Sequence, residues 1–203
     1  MPTHNVNETL FQSIETWAAK QPHAPALHYH GRETLTYAGL ISSVKKVKSV
    51  LEHHGLGRND RIAIVHPNGP EMALIVLGIL ACASCAPLNP KYIAAEFEFY
   101  LADLDIKAVV VRAGLKSPIF AVCERLNIRV IELESRAGAP VGELSFKDTT
   151  PYTERDGGYA QAQDTALILH TSGTTARPKI VPLTQHNILC SASNIAATLR
   201  LMP

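Results

Sequence analysis

The chain has 203 residues, of which 46% are hydrophobic and 18% charged, with a formal net charge of +1. That composition suits one or two globular domains with a sizeable core. It argues against the strongly basic surface used for nucleic acid, and the nine histidines add positive charge only below about pH 6.5.

The first ten residues carry neither a basic start nor an apolar signal core, so a secretory leader is not expected. Val6, Leu10, Phe11, Ile14, Trp17 and Ala18 recur at helical spacing, and Gln21-Pro22 stops that helix. Ala26 to Thr36 reads as a hairpin turning at Gly31-Arg32-Glu33. His28 and His30 would share one strand face, a spacing open to two metal ligands. No third ligand stands nearby, so a polar strand face is expected. Thr36 is a plausible N-cap for a helix from Tyr37 to His54, with Leu40, Ile41, Val44, Val47, Val50 and Leu51 as its buried stripe. Lys45, Lys46 and Lys48 form its wet side, and Gly55 closes it.

Strand and helix then alternate. Strands are expected at Arg61–His66, Cys85–Leu88, Ile106–Arg112 and Ile128–Leu133. Helices are expected at Gly69–Ala83, Ala94–Leu104 and Ser117–Asn127. Such alternation implies an α/β fold, a mostly parallel sheet covered by helices. The uncharged stretch from Met72 to Leu88 is interrupted by Gly78, Ser84 and Pro87, and its uniformly apolar part falls short of the ~20 residues a span needs. No membrane span is expected. Cys82 and Cys85 form a CxxC inside this apolar run, with no flanking cation and no second pair to complete a zinc site. With Cys123 and Cys190 they read as small residues of a protein in a reducing, cytoplasmic compartment, and no metal site is expected.

Residues 134–164 show little periodicity and much Gly, Pro, Thr and Asp, which reads as a long surface connection. Thr165 to His170 is a buried strand, Ile180 to Leu183 resumes strand character, and Thr184 caps a helix reaching about Leu199. Between the strands lies Thr171-Ser172-Gly173-Thr174-Thr175-Ala176-Arg177-Pro178-Lys179. Hydroxyls and backbone N–H groups donate to phosphate oxygens, glycine lets the backbone approach, and a lysine supplies a compact positive charge. The segment lacks the Gly-Lys pair of a Walker A loop. On composition alone, a polar turn between two strands and a polyphosphate loop both remain open.

The same segment resembles the phosphate-loop motif of the adenylate-forming superfamily, which contains acyl-CoA synthetases, nonribosomal peptide synthetase adenylation domains and firefly-type luciferases. Thr36-Tyr37, Asp60-Arg61-Ile62-Ala63-Ile64, Asn68-Gly69-Pro70-Glu71 and Pro87-Leu88-Asn89-Pro90 agree with that family in order and spacing. The resemblance implies that residues 1–203 are the N-terminal part of the large AMP-binding domain of a longer protein. Thr171, Ser172, Gly173, Thr174, Thr175 and Lys179 would contact the phosphates of ATP. Ala176 and Ile180 depart from the usual glycines. His170 stands where many relatives carry an aromatic residue; a place for its ring near the nucleotide is the alternative, and strand-end packing is its expected role.

The function so implied is ATP-dependent activation of a small carboxylic acid as acyl-AMP, then transfer to a thiol. Mg2+ would accompany the nucleotide. The run from His170 to Lys179 with Pro182-Leu183-Thr184-Gln185 resembles oxalate–CoA ligase-like acyl-CoA synthetases, which favours CoA over a carrier-protein thiol. A synthetase adenylation or starter module is the alternative enzyme, and a non-catalytic nucleotide-binding or assembly module the alternative of another class. Catalytic residues are expected downstream of Pro203, so residues 1–203 alone are expected to be inactive. Val181 and Leu183 on a sheet edge, and Ile188, Leu189, Ile195 and Leu199 on a helix, are expected to lie uncovered.

Overall fold

Apolar residues on both faces of successive short strands require helices on both sides of a sheet. The computed structural model describes residues 7–134, 136, 138–147, 156–171 and 178–201. In chain order these form α1 (Leu10–Lys20), β1 (Pro25–Leu27), β2 (Leu35–Thr36), α2 (Tyr37–His53), β3 (Arg61–Val65), α3 (Pro70–Leu80), β4 (Ser84–Pro87) and α4 (Ala94–Asp103). There follow β5 (Ala108–Arg112), α5 (Ile119–Leu126), β6 (Arg129–Glu134), β7 (Ser145–Lys147), β8 (Thr165–His170), β9 (Ile180–Thr184) and α6 (Gln185–Leu199).

Among these residues a seven-stranded sheet has the order β7-β6-β5-β3-β4-β8-β9. The inner strands β6, β5, β3, β4 and β8 pair in parallel, and β7 and β9 add antiparallel edges. Alternation along β3 divides the core: Ile62 and Ile64 join one apolar cluster, Ala63 the other. β5 repeats this, with Ala108 and Val110 on the first face and Val109 and Val111 on the second. Helices α1, α2 and α3 cover the first face, α4 and α5 the second.

Local chemistry sets the helix ends. Thr36 caps α2 by accepting from the Gly39 N–H. Past the end of α2, Gly55 takes a φ of 70° and the Leu56 N–H returns to the Leu51 carbonyl at 2.9 Å. Thr184 and Asn187 form a capping box at the start of α6.

Several expectations are corrected by this structure. The hairpin is shorter than expected: β1 ends at Leu27, so His28 and His30 do not share a strand face, and the His28 ring is instead bonded to the Thr34 hydroxyl at 2.9 Å. Residues 134–164, read as a surface connection, contain β7, and Ala139, Val141 and Leu144 are buried. The Arg32 guanidinium holds Glu71 at 2.6 Å and donates to the carbonyls of Ala139 and Pro140, anchoring that segment beside the start of α3. At its far end Gly157 passes the backbone of Gly57, where a Cβ would stand 2.3 Å away. Leu189 is buried and Ile188 packs partly against the first core, because α6 lies on the sheet. Ile195 and Leu199 are exposed as expected, at 53% and 63%. No helix among the described residues is long and apolar enough to cross a membrane.

Candidate functional site

Strand β8 runs parallel to β4, so its carboxyl end lies with those of the inner strands. There the chain reverses into β9, and the ladder extends from Thr165↔Thr184 to His170↔Ile180. One step beyond, the Thr171 N–H donates to the Lys179 carbonyl at 3.0 Å, and the Lys179 N–H donates to the Thr171 hydroxyl at 3.2 Å. These two bonds close the neck of the hydroxyl-rich loop and leave Thr171 and Lys179 exposed at its mouth. No described carboxylate pairs with the Lys179 ammonium. Ser172, Gly173, Thr174 and Thr175, with Ala176, lie outside the described residues. The neck thus brings Thr171 and Lys179 together.

The topology places this neck at a divergence of connections. β4 continues into α4, which crosses to β5 on the other side of β3, while β8 turns outward to β9. Open α/β sheets form ligand crevices where connections from neighbouring carboxyl ends part in this way.

Helix α4 supplies the wall. Its Asp103 Oδ2 lies 3.1 Å from His170 Nε2, and the two side chains are only 13% and 8% exposed. An ionised carboxylate only accepts, so Nε2 donates. The His170 ring also meets Tyr100 edge-on at 4.7 Å and is tilted against Phe99 at 6.4 Å. Tyr100 stacks on Tyr92 at 4.9 Å, and burial, with the Tyr100 hydroxyl adding to it, pushes the Tyr92 phenol up to about 12. Pro178, on the other arm of the neck, borders one shallow recess with Ala95, Glu96, Phe99 and Tyr100. The strand-end packing expected of His170 is therefore observed. Its partners are 67 to 71 positions away in sequence, and no local signal identifies Asp103, Phe99 or Tyr100.

The remaining candidates lie elsewhere. Cys82 and Cys85 are buried and unbridged; burial pushes the Cys82 thiol up to about 12 and Cys85 higher still. Among the described residues no group of three or more His, Cys, Asp or Glu is placed to hold a metal ion.

A family model described as AMP-binding enzyme matches residues 14–202. The chain is 34% identical over 198 residues to the oxalate–CoA ligase of Arabidopsis thaliana, covering 96% of this chain and 38% of that protein. It therefore spans about two fifths of that relative's length. It is 32% identical over 186 residues to CymA, a probable non-canonical nonribosomal peptide synthetase of Salinispora arenicola, covering 91% of this chain and 2% of that protein. Among solved structures, o-succinylbenzoate CoA synthetase from Bacillus subtilis, in complex with the acyl-adenylate OSB-AMP, superposes with a TM-score of 0.75 at 26% identity. That match covers 97% of this chain and 47% of the other.

Proposed function

This chain belongs to the AMP-binding enzyme family, and on that premise we propose that it forms the N-terminal part of the large domain of an acid–thiol ligase. The observation that carries the reading is the closed neck: Thr171 and Lys179 bonded to each other at the carboxyl end of β8, with an exposed lysine at the mouth of a hydroxyl-rich loop. The loop residues Thr171, Ser172, Gly173, Thr174 and Thr175 donate hydrogen bonds to the β- and γ-phosphates of ATP, and Lys179 neutralises charge there. Such bonds to an anion are stronger than neutral ones.

In the reaction so proposed, a substrate carboxylate oxygen attacks the α-phosphorus of ATP. The bond to the bridging oxygen breaks, and pyrophosphate leaves. A thiol then attacks the acyl carbon and AMP departs. The contribution of this chain is to hold the departing pyrophosphate, whose negative charge grows as the bond breaks. Mg2+ bound with the nucleotide would supply further charge neutralisation at the phosphates. Two relatives carry the ligase reading to finer grain: the oxalate–CoA ligase favours a small acid and CoA, and the CymA match keeps a carrier-protein thiol as the second acceptor.

The test is product analysis of the complete enzyme with ATP, a panel of small mono- and dicarboxylic acids including oxalate, and CoA. The proposal expects acid-dependent formation of AMP and pyrophosphate, and an acyl-CoA when CoA is present. Release of ADP and phosphate, or nucleotide turnover independent of any acid, would contradict it.

A further inference from the structure

The neck of the loop is held by more than its own two hydrogen bonds. His170 is the last residue of β8, the ladder partner of Ile180, and the immediate neighbour of Thr171. Its ring is held by one short stretch of α4: Asp103 accepts from Nε2 at 3.1 Å, Tyr100 meets the ring edge-on and Phe99 lies against it. Residues 99, 100 and 103 fall on one side of a helix, at i, i+1 and i+4. Pro178 borders the recess lined by Phe99 and Tyr100, so the same stretch of α4 reaches both arms of the hairpin. Both members of the pair are largely buried, and a charge-assisted hydrogen bond in such a setting is directional and costly to break.

We propose that Asp103 is a positioning residue for the phosphate loop: through His170 it fixes the end of β8, and so the neck that sets where Thr171 and Lys179 stand. Nothing in this role requires either side chain to touch the nucleotide. The inference rests on the phosphate-binding reading of the loop and adds to it a support that lies outside the motif. A binding constellation is effective only when its supporting residues hold it within about half an ångström of the productive geometry. Loosening the neck weakens contacts to the outer phosphates. It leaves the contacts of adenosine and the α-phosphate, which belong to other parts of the enzyme.

The test compares calorimetric affinities for Mg-ATP and for AMP in the complete enzyme, using wild type, Lys179→Ala, Asp103→Ala, His170→Ala and His170→Gln. Asp103→Ala and His170→Ala should weaken ATP about tenfold, the loss of one hydrogen bond to a charged group. Their AMP affinity should stay within about twofold. His170→Gln keeps a donor for Asp103 and should recover most of the ATP affinity. Unchanged ATP affinity in Asp103→Ala would overturn the proposal. Equal loss of ATP and AMP, or failure of His170→Gln to recover affinity while its melting temperature is native, would overturn it as well. The underlying reading fails separately: Lys179→Ala would then bind ATP as wild type does, and the inference from Asp103 would fall with it.

Discussion

Gly78 lies in the last turn of α3 and faces Val47 of α2. In an open helix, replacing glycine by alanine stabilises by about 1 kcal/mol, because alanine loses less backbone freedom on folding. Here a Cβ on residue 78 would stand 2.4 Å from Val47 Cβ, 2.6 Å from Cγ1 and 2.9 Å from Cγ2. Val47 is 1% exposed, and its branched side chain is stiff in a helix, so it cannot swing aside. The helices must separate, and overpacking of this kind costs roughly 1–3 kcal/mol. Against the propensity gain, Gly78→Ala should be net destabilising by up to about 2 kcal/mol, or up to about 8 °C in melting temperature for a domain of this size. Gly39→Ala is the control. Its Cβ would meet Leu35 Cδ1 at 2.5 Å, but that is the far end of a flexible side chain, and the substitution should be neutral or stabilising. Thermal and urea unfolding followed by circular dichroism would measure both. A Gly78→Ala protein at least as stable as wild type would refute the packing argument.

Gln185 is fully buried; its amide donates to the Leu80 carbonyl and accepts from the Leu10 N–H at 3.2 Å, joining α6 to α3 and α1. Gln185→Ala leaves both partners unsatisfied and should cost about 2–4 kcal/mol in urea unfolding. Arg58 holds Asp164 through contacts of 2.5 and 2.9 Å; this side-chain hydrogen bonding, aided by the Gln161 N–H, keeps the Asp164 carboxyl below the usual carboxylate range. The pair therefore stabilises the fold fully above the unfolded carboxylate pKa of about 3.9, and that contribution is lost as pH falls through the lower folded value. The melting-temperature gap between wild type and Asp164→Asn should be constant above about pH 5 and narrow below pH 4. Of the four cysteines only Cys190 is not buried, and burial pushes the Cys123 thiol up to about 11. At pH 8 one thiol of these 203 residues should react rapidly with Ellman's reagent, and Cys190→Ser should abolish that phase.

Much of the frame was legible in the sequence because its signals are local. The apolar runs of β3 and β5 announce strands buried on both faces, whereas β8 reads the same way yet leaves Leu169 exposed, and Thr36 and Thr184 announce the helices they cap. The composition of the loop from Thr171 to Lys179 left a polar turn and a polyphosphate loop both open, and only the resemblance of the whole motif favoured phosphate. What escaped was decided by contacts distant in sequence. Ser145-Phe146-Lys147 has no strand signature of its own and becomes β7 by pairing with β6. His28 and His30 alternate like strand residues, yet β1 stops before them. Leu189 carries the same apolar signal as Ile195, but only the fold decides which of them meets the sheet. The aromatic and acidic support of His170 is the clearest case. Asp103 ends an ordinary helix, and only the placement of α4 beside β8 gives it a role.

The central claim, that this chain holds the outer phosphates of ATP while an acid is adenylated, is tested most directly by acid-dependent ATP–pyrophosphate exchange in the complete enzyme and its Lys179→Ala variant. Removing one preorganised charge contact to a developing anion costs about 2.7–4 kcal/mol of barrier. The account therefore predicts a fall in exchange of about 10²–10³-fold in a protein whose melting temperature is unchanged. Exchange at the wild-type rate in Lys179→Ala would contradict it.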